Sequence, residues 1–291
     1  GAGLAAQGKR IRPLVVLLSA AACGGEWRSA LPAAAWAELI HNFSLIHDDI
    51  EDSSPTRRGR PTLWALHGIP QAINTGDALF AIASLALIEI EQTVQADIAL
   101  HTLRIAHQTT LDLTKGQYLD MAYENLSNLP MDGYWPMIKG KTAALLAACP
   151  QIGALVAGAD AKVVEAYREF GQNLGLAFQV QDDILGIWGS PEITGKSAAI
   201  DLLNRKKSLP VLFGLQQQGA FAQRWLAGSL HESEILPLAE QLAREGALGY
   251  AQNIAGELTV QAMNALATAQ PQGSAGHALY ELASLLLKRK L

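Results

Sequence analysis

Ala37-Glu38-Leu39-Ile40-His41-Asn42-Phe43-Ser44-Leu45-Ile46 runs directly into His47-Asp48-Asp49-Ile50-Glu51-Asp52. The first ten residues contain no Gly or Pro and place apolar side chains at helical spacing, so one helix is expected over about 33–52. At about 100° per residue, Asp48 and Asp52 fall on one face, one turn apart. Stacked carboxylates at the end of an apolar helix repel each other and need a cation. Hard oxygen donors suit Mg²⁺, whose shell is usually completed by waters and substrate phosphate oxygens. A solvated acidic helix end is the plain alternative. A second stretch argues against it: Phe178-Gln179-Val180-Gln181-Asp182-Asp183-Ile184-Leu185 puts two adjacent acids inside another apolar helix.

Outward from these motifs the same periodicity dominates. Ala and Leu are abundant, and β-branched alternation is almost absent. Helices are expected at about 11–23, 33–52, 71–91, 95–124, 132–158, 161–188, 209–218, 232–246, 247–269 and 274–290. Breaks fall at Cys23-Gly24-Gly25, Ser53-Ser54-Pro55, Leu129-Pro130, Gly189-Ser190-Pro191 and Gln270-Pro271-Gln272-Gly273. None is long enough for a linker, so residues 1–291 are read as one all-α domain, a bundle of about ten helices.

Apolar residues make up 49% of the 291 and charged residues 17%, which excludes a disordered chain. The net charge of -5 argues against general nucleic-acid binding. Cys23 and Cys149 lie in apolar surroundings and read as free thiols of a reducing compartment, here the cytoplasm. Apolar runs such as Ala78 to Ile88 fall short of the ~20 residues a bilayer-spanning helix takes. No signal peptide is visible, and a start at Gly1 without Met implies that the native chain begins upstream.

Basic residues cluster beside the acids or at Gly turns: Gly8-Lys9-Arg10-Ile11-Arg12-Pro13, Arg57-Arg58-Gly59-Arg60, Lys139-Gly140-Lys141-Thr142, Gly195-Lys196 and Arg205-Lys206-Lys207-Ser208. Any one of them could be ordinary charged surface. Guanidinium forks and ammonium groups are the usual diphosphate binders, and a hydroxyl such as Thr142 adds a donor. Acid clusters and base clusters in an apolar helical chain point to Mg²⁺-diphosphate chemistry on an apolar substrate.

These residues resemble the trans-polyprenyl diphosphate synthases, which condense isopentenyl diphosphate with an allylic diphosphate. The match includes Gly-Lys-Arg-x-Arg-Pro (8–13), His41, Asp-Asp-x-x-Asp (48–52), Arg-Arg-Gly (57–59), Gly76-Asp77, Gly116-Gln117, Lys141-Thr142, Phe-Gln-x-x-Asp-Asp (178–183), Gly195-Lys196 and Asp201-Leu202 with Lys206. The resemblance implies an isoprenoid-synthase bundle around a central cavity. It implies that Lys9, Arg12, His41 and Arg58 hold isopentenyl diphosphate. Asp48 and Asp52 would hold the allylic diphosphate through Mg²⁺, with Asp182 binding a further Mg²⁺. Arg57, Lys141, Thr142, Gln179, Lys196 and Lys206 would complete that allylic site. Asp48, Asp52, Lys141, Asp182 and Lys196 are the residues expected to carry catalysis. Spacing supports His41 independently, since seven residues is two turns before Asp48.

The family often carries a third acid four residues after Asp182, and here that position is Gly186; Ser190 also stands where an acid is expected. Phe43 and Ser44, one turn before Asp48, would set the depth available to the growing chain. One aromatic at Phe43 resembles synthases making geranylgeranyl diphosphate, with farnesyl diphosphate as second choice; Leu79-Phe80 is the alternative floor. Family members are usually homodimers, and the helix around 78–90 is the expected interface. A terpene cyclase of the same fold would not need Lys9, Arg12, His41 and Arg58. A weak partner subunit of a heteromeric synthase would be expected to lose the first acidic motif. A helical His-Asp phosphohydrolase would need further histidine ligands at convincing positions.

Overall fold

The computed structural model describes residues 10–124, 126, 129–190 and 199–287. Lys9 and Lys196 therefore lie outside the described residues. The described chain is built almost wholly of helices, as the periodicity requires. In order they are α1 (Ile11–Ala22), α2 (Leu31–Glu51), α3 (Leu63–His67), α4 (Ile69–Ile88), α5 (Ala96–Glu124), α6 (Met131–Ile138), α7 (Ala144–Val156), α8 (Ala161–Trp188), α9 (Ile200–Leu203), α10 (Leu209–Gln217), α11 (Ala220–Leu226), α12 (Glu232–Arg244), α13 (Ala247–Ala269) and α14 (Gly273–Leu287).

The chain packs as two compact units. One holds the described residues up to Thr110, with Ala148–Arg168 and Ala269–Leu279; the other holds those of Leu111–Ala147, Glu169–Thr268 and from Tyr280 onward.

In the first unit α2 begins with Pro32 in its first turn, where the missing N–H is no loss, and packs along α4. Its buried stripe is Ala33, Ala34, Trp36, Ala37 and Ile40, so its last turn is carried on a helix that is fixed by packing. The chain then turns in a two-stranded ribbon: Thr56–Arg57 pairs with Arg60–Pro61. The two turn residues, Arg58 and Gly59, both have positive φ, 52° and 73°, as the tight turn of such a ribbon demands. The ribbon was not expected, because those residues read as a basic cluster.

Helix α4 corrects one expectation. With the following short turn, Ile69–Gln92 forms a helix of 24 residues, long and apolar enough by length and composition to cross a membrane. The run from Ala78 was too short only because Asp77 interrupts it. Ala72, Gly76, Ala83 and Leu87 form a narrow buried stripe, whereas Ile73, Phe80, Ile82, Leu85 and Ile88 are exposed.

The helix expected over 132–158 runs from 131 to 156, widened at one turn. In the second unit that wide turn, Lys139–Ala143, follows α6 and leads directly into α7. Gly140 lies against α5, where a Cβ would meet Asp112 O at 2.5 Å and Gly116 Cα at 2.8 Å. A Cβ on Gly116 would fall 2.0 Å from the Lys141 nitrogen. Only glycine at both positions permits this approach. Wide turns inside helices frequently mark functional sites, and this one carries Lys141 and Thr142.

The short helices α9 and α11 join a core cluster with Ile187, Leu202, Val211, Phe221, Trp225, Ile235, Leu238 and Leu242. Each large side chain buried there contributes roughly 1.5–3 kcal/mol. The C-terminal end of α5 is tied down by Lys207, whose Nζ donates to the carbonyls of Tyr123 at 2.7 Å and Glu124 at 2.8 Å.

Candidate functional site

In the first unit, Asp48, Asp49 and Glu51 crowd the last turn of α2, and Asp52 is its C-cap. This is the negative end of the helix dipole, so the acids raise one another's cost and that of the exposed carbonyls. The ribbon delivers the compensating charge. Arg57 Nη2 donates to Asp48 at 2.9 Å and Arg57 Nε donates to Asp49 at 2.6 Å. Burial lowers the Arg57 pKa, but the Asp49 and Asp48 carboxylates outweigh it and hold the guanidinium charged. Asp48 is half-buried and Asp52 exposed. These are hard oxygen donors at a helix terminus that favours a cation, and they fit Mg²⁺ completed by ligand oxygens. No described cluster of three or more His, Cys, Asp or Glu would hold a metal by itself.

The same unit brings Arg12, His41, Arg57 and Arg58 into mutual range. Burial, then the positive charges of Arg12, Arg58 and Arg57, lower the His41 pKa to about 3. His41 is thus neutral at pH 7, a donor surrounded by three cations. Burial lowers Arg12 as well, partly opposed by Cys149 and Glu38, and its buried Nε finds no acceptor. Converging cations with an orphan donor form an anion site. Phe43 packs on Phe80 with ring centroids 5.6 Å apart and on His47 at 4.9 Å, so the two candidate floors meet. Ser44 turns its hydroxyl back to the His41 carbonyl at 2.9 Å.

In the second unit a hydrogen-bonded chain links most of the remaining expected residues. Thr142 Oγ1 donates to Gln179 Oε1 at 2.7 Å, and Gln179 Nε2 donates to Asp183 at 3.0 Å. Lys206 Nζ donates to Asp183 at 3.2 Å and to Asp201 at 3.4 Å. Asp183 also accepts from Tyr134 Oη at 2.8 Å and from the Leu209 N–H at 3.1 Å. Burial and the Asp183 charge keep the Tyr134 phenol protonated and donating. Burial lowers the Lys206 pKa, but Asp183 and Asp201 together raise it, so it stays an ammonium. Lys141 Nζ donates to Asp120.

The two acids of the second motif therefore differ. Asp183 is 1% exposed and accepts from four donors, so it is a scaffold carboxylate, whereas Asp182 is half-buried. Asp120, Tyr134 and the scaffold role of Asp183 escaped the sequence. Their partners lie 21, 49 and 26 positions away, and no spacing marks them.

The polyprenyl synthetase family model matches residues 2–235. A (2E,6E)-farnesyl diphosphate synthase of Mycobacterium bovis is 43% identical over 226 residues, covering 78% of this chain and 62% of that protein. A geranylgeranyl diphosphate synthase of Mycobacterium tuberculosis is 42% identical over 241 residues, covering 83% of this chain and 67% of that protein. The solved geranylgeranyl pyrophosphate synthetase of Pyrococcus horikoshii superposes with a TM-score of 0.90 at 33% identity, covering 97% of this chain and 86% of that one. The helical architecture is thus that of the isoprenoid synthases. The chain belongs to the polyprenyl synthetase family. It spans about three-fifths of the length of the mycobacterial farnesyl diphosphate synthase it matches.

Proposed function

We propose that residues 1–291 serve as one catalytic domain, a Mg²⁺-dependent trans-prenyltransferase condensing isopentenyl diphosphate with an allylic diphosphate. The observation that carries this reading is the cationic cluster of Arg12, Arg57 and Arg58 around a neutral His41, beside an acid-rich helix end, in a chain of this family. On this reading Lys9, Arg12, His41 and Arg58 grip the diphosphate of isopentenyl diphosphate. The neutral imidazole adds a hydrogen bond without adding to the repulsion among the guanidiniums. Asp48, Asp52 and Asp182 hold Mg²⁺, which when bound stabilises charge on the departing diphosphate. Arg57, Lys141, Thr142, Gln179, Lys196 and Lys206 orient the allylic diphosphate, and the cations among them balance the charge that develops there. Ionisation breaks the allylic C–O bond and leaves an allylic cation with free diphosphate; the isopentenyl double bond attacks the cation, and the proton then lost from the new chain passes to the departed diphosphate. Apolar walls exclude water that would quench the cation.

Geranylgeranyl diphosphate is the proposed main product and farnesyl diphosphate the second. The single aromatic Phe43 supports the longer product, and the relatives named above include synthases of both. None of those relatives is a cyclase. The exposed apolar side chains of α4 support a homodimer in which a second copy covers Ile82, Leu85 and Ile88. A cytoplasmic setting accords with two free thiols, of which Cys149 is pushed up to about 12 by burial.

The test offers labelled isopentenyl diphosphate with dimethylallyl, geranyl or farnesyl diphosphate and Mg²⁺, followed by product chromatography. Extension to the twenty-carbon diphosphate is expected, and its loss in Asp48→Ala and Asp52→Ala. Cyclic hydrocarbon, phosphate release alone, or no extension in the intact chain overturns the reading.

A further inference from the structure

Asp182 lies on α8, and the residue one turn later on the same face is Gly186. In the first motif the corresponding position after Asp48 is a second acid, Asp52. Glycine is the weakest helix former after proline, and Gly186 sits in the last turn of α8 with no left-handed φ to explain it. Its surroundings supply the reason. A Cβ built on Gly186 would lie 2.1 Å from Asp201 Oδ2, 2.5 Å from its carboxyl carbon and 3.1 Å from Oδ1. The Asp201 carboxylate thus rests against the α8 backbone, in the volume that a side chain at 186 would fill.

Asp201 is supplied by α9, and only 9% of it is exposed. Its Oδ2 receives Lys206 Nζ at 3.4 Å, at the long end of a hydrogen bond, and no described donor reaches Oδ1. A nearly buried carboxylate with spare lone pairs is costly unless it serves a cation. Asp183 takes the shorter contact with Lys206, at 3.2 Å, so Asp201 shares that ammonium and gives it only one of its two oxygens.

We propose that Asp201 is the second carboxylate of the divalent-ion site at Asp182, delivered from α9 into the space that Gly186 leaves. The inference rests on the prenyltransferase reading. It goes beyond that reading in assigning to Asp201 the oxygen donor that the helix itself lacks, and in giving Gly186 its reason.

The test counts Mn²⁺ bound to the full-length chain by electron paramagnetic resonance in the presence of inorganic pyrophosphate, beside the condensation assay. Asp201→Asn, nearly isosteric, should weaken one Mn²⁺ about ten- to a hundredfold and raise the Mg²⁺ needed for half-maximal rate in step. Gly186→Ala, which pushes the carboxylate away while leaving it in the chain, should do the same. The double variant Gly186→Asp/Asp201→Ala moves the carboxylate onto α8 and should bind that ion more tightly than Asp201→Asn. A purely structural role for Asp201 would shift the melting temperature without altering the Mn²⁺ count in the folded protein. If the intact chain extends isoprenoids yet Asp201→Asn binds Mn²⁺ as the wild type does, the inference fails alone. It fails equally if the double variant binds no better than Asp201→Asn. If the intact chain neither binds Mn²⁺ with pyrophosphate nor extends a substrate, the prenyltransferase reading fails with it. Should Asp201→Asn not fold, Gly186→Ala and the double variant decide by the same readings.

Discussion

Changing Asp183 to Asn replaces one atom and should cost the protein much of its stability. Asp183 Oδ1 faces Gln179 Nε2 and Lys206 Nζ, and Oδ2 faces Tyr134 Oη and the Leu209 N–H. An Asn there offers one oxygen and one amide nitrogen. Whichever way it flips, two donors meet an NH₂ group: the half-buried Gln179 and the partly exposed Lys206, or the buried Tyr134 hydroxyl and Leu209 N–H. Each donor left unsatisfied costs about 1–3 kcal/mol, so two together cost about 3–5 kcal/mol. Lys206, partly exposed and still paired with Asp201, adds no further penalty. At about 2–4 °C per kcal/mol for a chain somewhat smaller than this, the melting midpoint should fall by roughly 6–15 °C. The deficit should not vary between pH 6 and 9. The pair raises the Lys206 pKa above its unfolded value, so its stabilisation is fully present below that value and is lost only as pH climbs through the folded one. Asp182→Asn, on a half-buried neighbour, should cost less than about 1 kcal/mol. Differential scanning calorimetry of both variants decides the matter. A midpoint for Asp183→Asn within 2 °C of wild type (roughly 1 kcal/mol), or an equal loss in Asp182→Asn, would refute the division between scaffold and site.

Three further outcomes are expected. The His41 pKa, pulled from 6.5 to about 3, means that the unfolded chain binds a proton the folded one refuses. Stability should therefore fall as pH drops from about 6.5 toward 3, by several kcal/mol at most, and His41→Gln should flatten that limb in urea titrations; parallel curves would contradict it. Gly116→Ala would drive a Cβ into the Lys141 nitrogen, so a loss of at least ~1–3 kcal/mol is expected by chemical denaturation, and a wild-type midpoint would show that α5 and the wide turn can separate freely. Phe43→Ala should lengthen the product by one or more five-carbon units, and Phe43→Ala/Phe80→Ala further still, because the two rings pack on each other; an unchanged product distribution with activity retained would exclude this pair as the floor.

The long helices were legible because their apolar periodicity extends over many turns, as in α2, expected at 33–52 and found at Leu31–Glu51. The widened turn between α6 and α7 was not. Residues 131–156 are helical in pattern throughout, and the wide turn arises where Gly140 closes on Gly116, a contact that periodicity does not encode. Helices α3, α9 and α11 are too short to stand without tertiary packing, so local sequence carries little sign of them. The site shows the same division. Asp48, Asp52, His41 and the basic clusters announce themselves by charge in apolar runs. Arg57 was expected as a substrate ligand, and the ribbon that places it on Asp48 and Asp49 had no such signal beyond the dipeptide Arg58-Gly59. Gly186 was noticed as a missing acid, and only the fold supplies Asp201 beside it.

Lys207 gives the C-terminal end of α5 a timetable. The carbonyls of Tyr123 and Glu124 belong to the last turn of that helix, where the regular ladder of backbone bonds ends; Tyr123 accepts the Leu126 N–H at 3.2 Å, and both carbonyls accept the Lys207 ammonium. Their donor arrives 84 and 83 positions further along the chain. Local segments close quickly, whereas a loop of that length must first lose the entropy of bringing its ends together. The last turn of α5 therefore gains its Lys207 bonds only once the segment beyond α9 has docked. Amide exchange there should report the late stages of folding rather than the formation of the helix itself.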